Sequence, residues 1–141
     1  MSRVKSRGNK STELVFLNLL KEHGIFGWRR QYTLFGKPDF AFPAVKLAIF
    51  LDGGFWHGHP NIGLPKSNRA FWSAKIANNM KRDRRVNREL RKLKWAVLRI
   101  WDIDLKKDPQ KCMTRLRRLL TLCNKRHKSR HRVDALACRK D

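Results

Sequence analysis

Acidic side chains are scarce in this sequence: 11 Asp and Glu stand against 34 Lys and Arg, a formal net charge of +23. So large an excess of one sign repels itself and is best tolerated beside a polyanion. Cysteine is scarce too. Cys112, Cys123 and Cys138 are widely spaced and form no C-x-x-C pair, which excludes a disulfide framework and a zinc-finger pattern. Cys112 falls in an apolar helical stretch and reads as a small core residue. No run approaches the ~18 apolar residues of a membrane-spanning helix, and the opening MSRVKSRGNK lacks the apolar centre of a signal peptide. These absences leave a soluble, cytoplasmic protein with reduced cysteines, nucleic acid as its expected partner and no membrane.

The 141 residues suit one domain. Residues 1–11 form a basic arm with Arg3, Lys5, Arg7 and Lys10 and no acid. STELVFLNLLKEHG follows as an amphipathic helix, with Ser11 or Thr12 as N-cap and Leu14, Phe16, Leu17 and Leu20 as its apolar stripe. RQYTLFG, PDFAFP and KLAIFLD are short extended segments, the last apolar enough to be a strand covered on both faces. The glycine- and proline-rich residues 53–67 read as loop. A long basic helix begins near Asn68, with Phe71, Ile76, Met80, Leu90 and Leu93 for packing. WAVLRIWDIDL is a strand, and Asp108 and Pro109 open a second helix. The order α-β-β-β-α-β-α predicts an α/β fold, a central mixed sheet flanked by helices. The domain spans 12–122, and 123–141 is a basic tail with few apolar anchors, expected to lack fixed structure.

In so basic a chain the acids carry information. Only six precede residue 100: Glu13, Glu22, Asp39, Asp52, Asp83 and Glu89. Glu22 and Glu89 sit among lysines and arginines on helices and read as surface partners. Asp39 opens one strand and Asp52 ends the next, so antiparallel pairing can set them side by side. Each alone suits the cap of a turn; together, beside histidines, they favour a hard cation such as Mg2+, which takes one or two carboxylates plus water and substrate phosphate. His57 and His59 follow in FWHGH. Their spacing can bind zinc, but no cysteine or further histidine lies near in sequence to complete a cluster. A histidine is also suited to activating water at neutral pH, and Asp83 is either its orienting carboxylate or a partner in an intrahelical ion pair. Phe55, Trp56 and Trp72 either pack or stack on bases.

GKPDF, LDGGFWHGH, FWSAKIANNMKRDRR and LKWAVLRIWD together resemble the very short patch repair endonucleases, relatives of the PD-(D/E)xK nucleases that nick DNA at T:G mismatches. The resemblance runs from about residue 2 to 120 without gaps between the blocks and leaves the basic tail uncovered. It implies a restriction-endonuclease-like core and a cut beside the mispaired T. Asp39 would be the Mg2+-binding carboxylate and the Leu51 backbone carbonyl a second ligand, with Asp52 next to them. His57 would activate water, oriented by Asp83, and Glu13 would hold a water of the metal shell or position the histidine. Phe55, Trp56 and Trp72 would wedge into a mismatched duplex, while Arg3, Lys5, Arg7 and Lys37 contact DNA. Nothing in the sequence resembles a dedicated dimer seam, so a monomer is expected.

Two departures stand out. The family's structural zinc has its ligand positions at Gly54, His59, Asn61 and Ile103 here, so one ligand of four survives; the zinc is expected to be absent and the loop to be held by packing. Asp52 stands where the pattern has a histidine, adding negative charge beside the cation. The lysine usual after the second acid of the wider superfamily is also missing, with His57 able to take its place. Glu13, Asp39, His57 and Asp83 also resemble nuclease domains of certain homing endonucleases, which need no mismatch. A DNA-binding module without catalysis is the third alternative, and it requires all four residues to be incidental.

Overall fold

The computed structural model describes residues 10–60 and 62–138. Its elements are α1 (Lys10–Glu22), β1 (Arg29–Arg30), β2 (Phe40–Phe42), a 3-10 turn (Pro43–Val45), β3 (Leu47–Asp52), α2 (Gly54–His57), α3 (Arg69–Lys92), β4 (Ala96–Trp101), α4 (Asp102–Lys107) and α5 (Pro109–Cys138). Arg3, Lys5 and Arg7 of the basic arm, and Asn61, lie outside the described residues.

An apolar run such as Leu47–Leu51 needs cover on both faces, and β3 receives it. Leu47, Ile49 and Leu51 face α1 and α5, packing with Phe16, Leu20, Ile100, Met113 and Leu116. Ala48 and Phe50 point the other way, onto Val86 and Leu90 of α3. This is the two-residue alternation of a strand, and it sends Asp52, next after Leu51, toward α3. The mixed sheet has order β1-β2-β3-β4. β1 and β2 are antiparallel, as are β2 and β3. β3 and β4 are parallel, from Leu47 opposite Ala96 to Asp52 opposite Trp101. A parallel neighbour needs a long crossover, and α3, 24 residues long, supplies it.

The mixed sheet with flanking helices matches the expected α/β class, and several local expectations are corrected. RQYTLFG is not a strand: Gln31 turns into left-handed backbone at φ 50, so β1 ends at Arg30. The stretch 53–67 is not all loop, because α2 makes one turn within it. The extended run after Trp95 stops at Trp101, where α4 begins. Helix α1 starts at Lys10, which places Ser11 and Thr12 inside it rather than at its cap. Its buried stripe is Thr12, Phe16, Leu19 and Leu20, and Leu14 is exposed. On α3, Val86 and Leu90 are the buried residues, while Phe71 and Leu93 are exposed. Asp108 caps α5 as expected: its Oδ1 accepts the Lys111 N–H at 3.1 Å. The helix then continues to Cys138 instead of stopping near residue 122, since nothing from Gln110 to Cys138 is a glycine or proline that would end it. Among the described residues no helix is long and apolar enough to cross a membrane.

Candidate active site

The paired strands bring Asp39 and Asp52 to one end of the sheet. Asp39 precedes β2, and its backbone N–H still bonds Ile49 O at 3.0 Å. Its side chain then continues the ladder: Oδ2 accepts the Leu51 N–H at 2.7 Å. Burial pushes the Asp39 carboxyl up to about 6; the Leu51 hydrogen bond opposes this, and the neighbouring carboxylates of Glu13 and Asp52 add to it. A half-buried carboxyl crowded by two others gains from a nearby cation, and a hard divalent ion fits that donor chemistry. Glu13 comes from the first turn of α1 and is fixed by Arg30 Nη2 at 2.8 Å.

His57 closes the single turn of α2. Three contacts hold that turn. Asp102 Oδ1 accepts the Gly54 N–H at 3.0 Å and the Ile103 N–H at 2.7 Å, tying the starts of α2 and α4 together. Asn79 Nδ2 on α3 donates to Trp56 O at 3.0 Å. Gly58 caps the turn in left-handed backbone at φ 73, and a Cβ there would lie 2.6 Å from Met80 Sδ. The ring of His57 is thereby set against α3, where its Nδ1 donates to Asp83 Oδ2. Asn79 and Asp83 are one helical turn apart, so both face the site.

Asp52 was expected beside Asp39 as a second acid for the cation. Its carboxylate is instead engaged by Arg99 Nη1, at 3.0 Å to Oδ1 and 3.1 Å to Oδ2, and its Oδ1 lies 3.9 Å from His57 Nδ1. Arg99 is a residue that sequence reading missed. It sits two residues past Val97, on the α3 face of β4, with its guanidinium 4.2 Å from the Phe50 ring centroid. It donates through Nε to Asn87 Oδ1 at 2.8 Å and lies 3.6 Å from Asp83 Oδ1. Asp52, His57 and Asp83 bring ligating atoms within 4.8 Å of one another, an acid–histidine group able to hold a metal. With Arg99 against both acids, the positive charge already in that group is a guanidinium, and a second cation there would meet repulsion. Burial raises the Asp52 carboxyl, with the Arg99 charge opposing. Burial lowers the proton affinity of His57, but the hydrogen bond to Asp83 and the charges of Asp52 and Asp83 outweigh it, so its pKa lies above 6.5.

The aromatic residues singled out in sequence also converge. Phe55, Trp56 and Trp72 pack edge to face, with centroids 5.0 to 5.6 Å apart. Phe71 joins them through Trp72 at 5.1 Å, and Lys75 Nζ lies 5.1 Å from the Trp56 ring centroid. Lys37 is exposed in the turn before Asp39, at φ 52. Of the four positions corresponding to the family's zinc ligands, Gly54, His59 and Ile103 meet in space. A Cβ on Gly54 would come 2.7 Å from Ile62 Cδ1 and 3.0 Å from Ile103 Cδ1. Glycine offers no ligating side chain at residue 54, and the two isoleucine methyls are not ligands, so these residues do not fit a zinc. His59 is buried, packs edge-on against Trp101 at 5.0 Å and places Nε2 3.7 Å from Asp104 Oδ1.

Known proteins share this arrangement of sequence. The family model described as DNA mismatch endonuclease Vsr matches residues 1–62. The type II nicking enzyme V.NmeDIP of Neisseria meningitidis serogroup C is 39% identical over 120 residues, covering 83% of this chain and 80% of that protein. The type II nicking enzyme V.HpaIIP of Haemophilus parainfluenzae is 39% identical over 113 residues, covering 76% and 77%. The DNA mismatch endonuclease Vsr of Escherichia coli strain K12 is 35% identical over 91 residues, covering 63% and 58%. A relative 39% identical over four-fifths of both chains, together with the family model, shows that the chain belongs to the DNA mismatch endonuclease Vsr family and is an endonuclease.

Proposed function

We propose that this endonuclease nicks double-stranded DNA beside the mispaired T of a T:G mismatch, on a restriction-endonuclease-like core and with Mg2+. The observation that carries the reading is the His57–Asp83 pair on one side of a sheet end whose other side holds Asp39. Asp39 and the Leu51 carbonyl would hold the Mg2+, with Glu13 beside them. When bound, Mg2+ polarises the scissile phosphate and offsets the charge that develops on it. The chain's own groups do the rest. Asp83 takes the Nδ1–H of the neutral imidazole, which leaves Nε2 as the acceptor for a proton from water. Arg99 fixes both acids around that ring, so Asp52 belongs to the surroundings of His57 rather than to the cation's ligands. Phe55, Trp56 and Trp72 are the wedge, supported by their clustering beside His57. A mispaired step costs less to unstack than a paired one, which gives a wedge its preference.

The test is nicking of a labelled duplex with one T:G mismatch beside its T:A control, each with Mg2+ and with chelator. The expected outcome is Mg2+-dependent cutting of the T strand in the mismatched duplex alone. In the same assay Asp39→Ala should abolish the nick while duplex binding persists. Equal cutting of both duplexes would remove the mismatch requirement, and full activity of Asp39→Ala would overturn the assignment of the cation site.

A further inference from the structure

At the end of the sheet away from His57 is a cavity of ≈ 160 Å³ lined by Lys46, Lys94, Arg126 and Arg130, with Cys123 in its wall. Lys46 directly precedes β3 and Lys94 stands just before β4, whereas Asp52 and Trp101 close the same two strands at the catalytic end. At ~3.3 Å per residue, the length of β3 sets the cavity roughly 15–20 Å from Asp52. Both lysines hold left-handed backbone, at φ 53 and φ 67, Lys46 as the C-cap of the 3-10 turn and Lys94 just past the end of α3. Their turns are pinned: the Ala96 N–H donates to Lys46 O at 2.8 Å, and the Lys94 N–H to Arg91 O at 2.9 Å. The opposite wall is α5, whose residues 123, 126 and 130 recur at helical spacing and share one face. Among the described residues none of the four cations has an ion-pair partner.

We propose that this cavity is a second anion site, which binds a phosphate group other than the one that is cut. Four cations lining one concavity repel one another, and an oxyanion with several acceptor oxygens removes that repulsion while taking charge-assisted hydrogen bonds from two walls. The site stands apart from the nuclease reading and does not depend on it. The phosphate comes either from the backbone of a DNA segment remote from the cut or from a free phosphate compound, and the two sources share the same recognition chemistry.

The experiment titrates inorganic phosphate into the full chain, in chelator and at constant ionic strength, and reads the melting temperature. The wild type should show a saturable rise. In Lys46→Asn/Lys94→Asn the midpoint should move to about tenfold higher phosphate or beyond, since two of the four cations are removed. Asparagine tolerates the left-handed backbone at both positions, and Arg130→Gln, exposed on the other wall, should shift the midpoint the same way with no backbone change. No saturable rise in the wild type, or unchanged midpoints in both variants, would overturn the proposal. Duplex binding then separates the sources: a log–log salt slope shallower by ~1–2 in the lysine variant assigns the phosphate to DNA backbone, and an unchanged slope assigns it to a free compound.

Discussion

Asp83 holds His57 through Nδ1, so removing its charge alters both the orientation of the ring and its affinity for protons. A base must be neutral to act, so on the proposed role of His57 nicking should fall as pH drops through its pKa, which lies above 6.5. Asp83→Asn removes the hydrogen bond and the charge that raise it. The acid limb of the single-turnover rate should move to lower pH, while the maximal rate falls by about 10²–10⁴, the range a positioned base contributes. A limb that stays in place would mean that another group sets the profile. At this scale the sequence was informative where residues are rare. Acids are few in a basic chain, which is why Glu13, Asp39 and Asp83 could be singled out. Arg99 carries no such signal, being one of 34 Lys and Arg, and only the pairing of Asp52 with Trp101 across β3 and β4 puts it within reach of Asp52. The same pairing gives Asp52, expected at the cation site, an ion pair with Arg99.

Helix α2 shows why elements differ in how legible they are. One turn in a glycine-rich stretch has no periodicity to read and cannot offset its own nucleation; it exists because Asp102, Asn79 and Gly58 hold it. Gly58→Ala should therefore cost about 1 kcal/mol or more from its positive φ. Met80 Sδ lies where the new methyl must go, so α2 should also shift against α3. Thermal denaturation would give the first effect. The second should appear as a nicking rate that falls more than duplex binding does, and an unchanged rate would detach the seating of α2 from the chemistry. Helix α5 presents the opposite case. Its second half has few apolar residues and reads as unstructured, yet lysine and arginine favour helix, and a helix already nucleated by the packing of Cys112, Met113 and Leu116 propagates at little cost. β3, by contrast, was plain in sequence because its unbroken apolar run permits only a doubly covered strand.

Across the whole molecule, the net charge of +23 makes association with a polyanion strongly dependent on salt. Residues 124–141 carry seven Lys and Arg. Deleting them should make the log–log salt slope of duplex binding shallower, by up to ~0.9 for each phosphate that the shortened chain no longer neutralises; an unchanged slope would show that this segment stays clear of the duplex. The α/β class was readable from strand and helix patterning, although the expected order lacks α2 and α4, while the convergence of Glu13, Asp39, His57 and Asp83 depends on contacts between segments far apart in the chain. Within that convergence, Phe55, Trp56 and His57 are consecutive residues of one turn, clamped at both ends. A turn so short has no slack, and pressure on its aromatic edge is pressure on its imidazole. Rings and base would thus move as one lever: a duplex that admits the rings sets the timing of the cut as well as its place, and one that refuses them leaves the base idle even while bound.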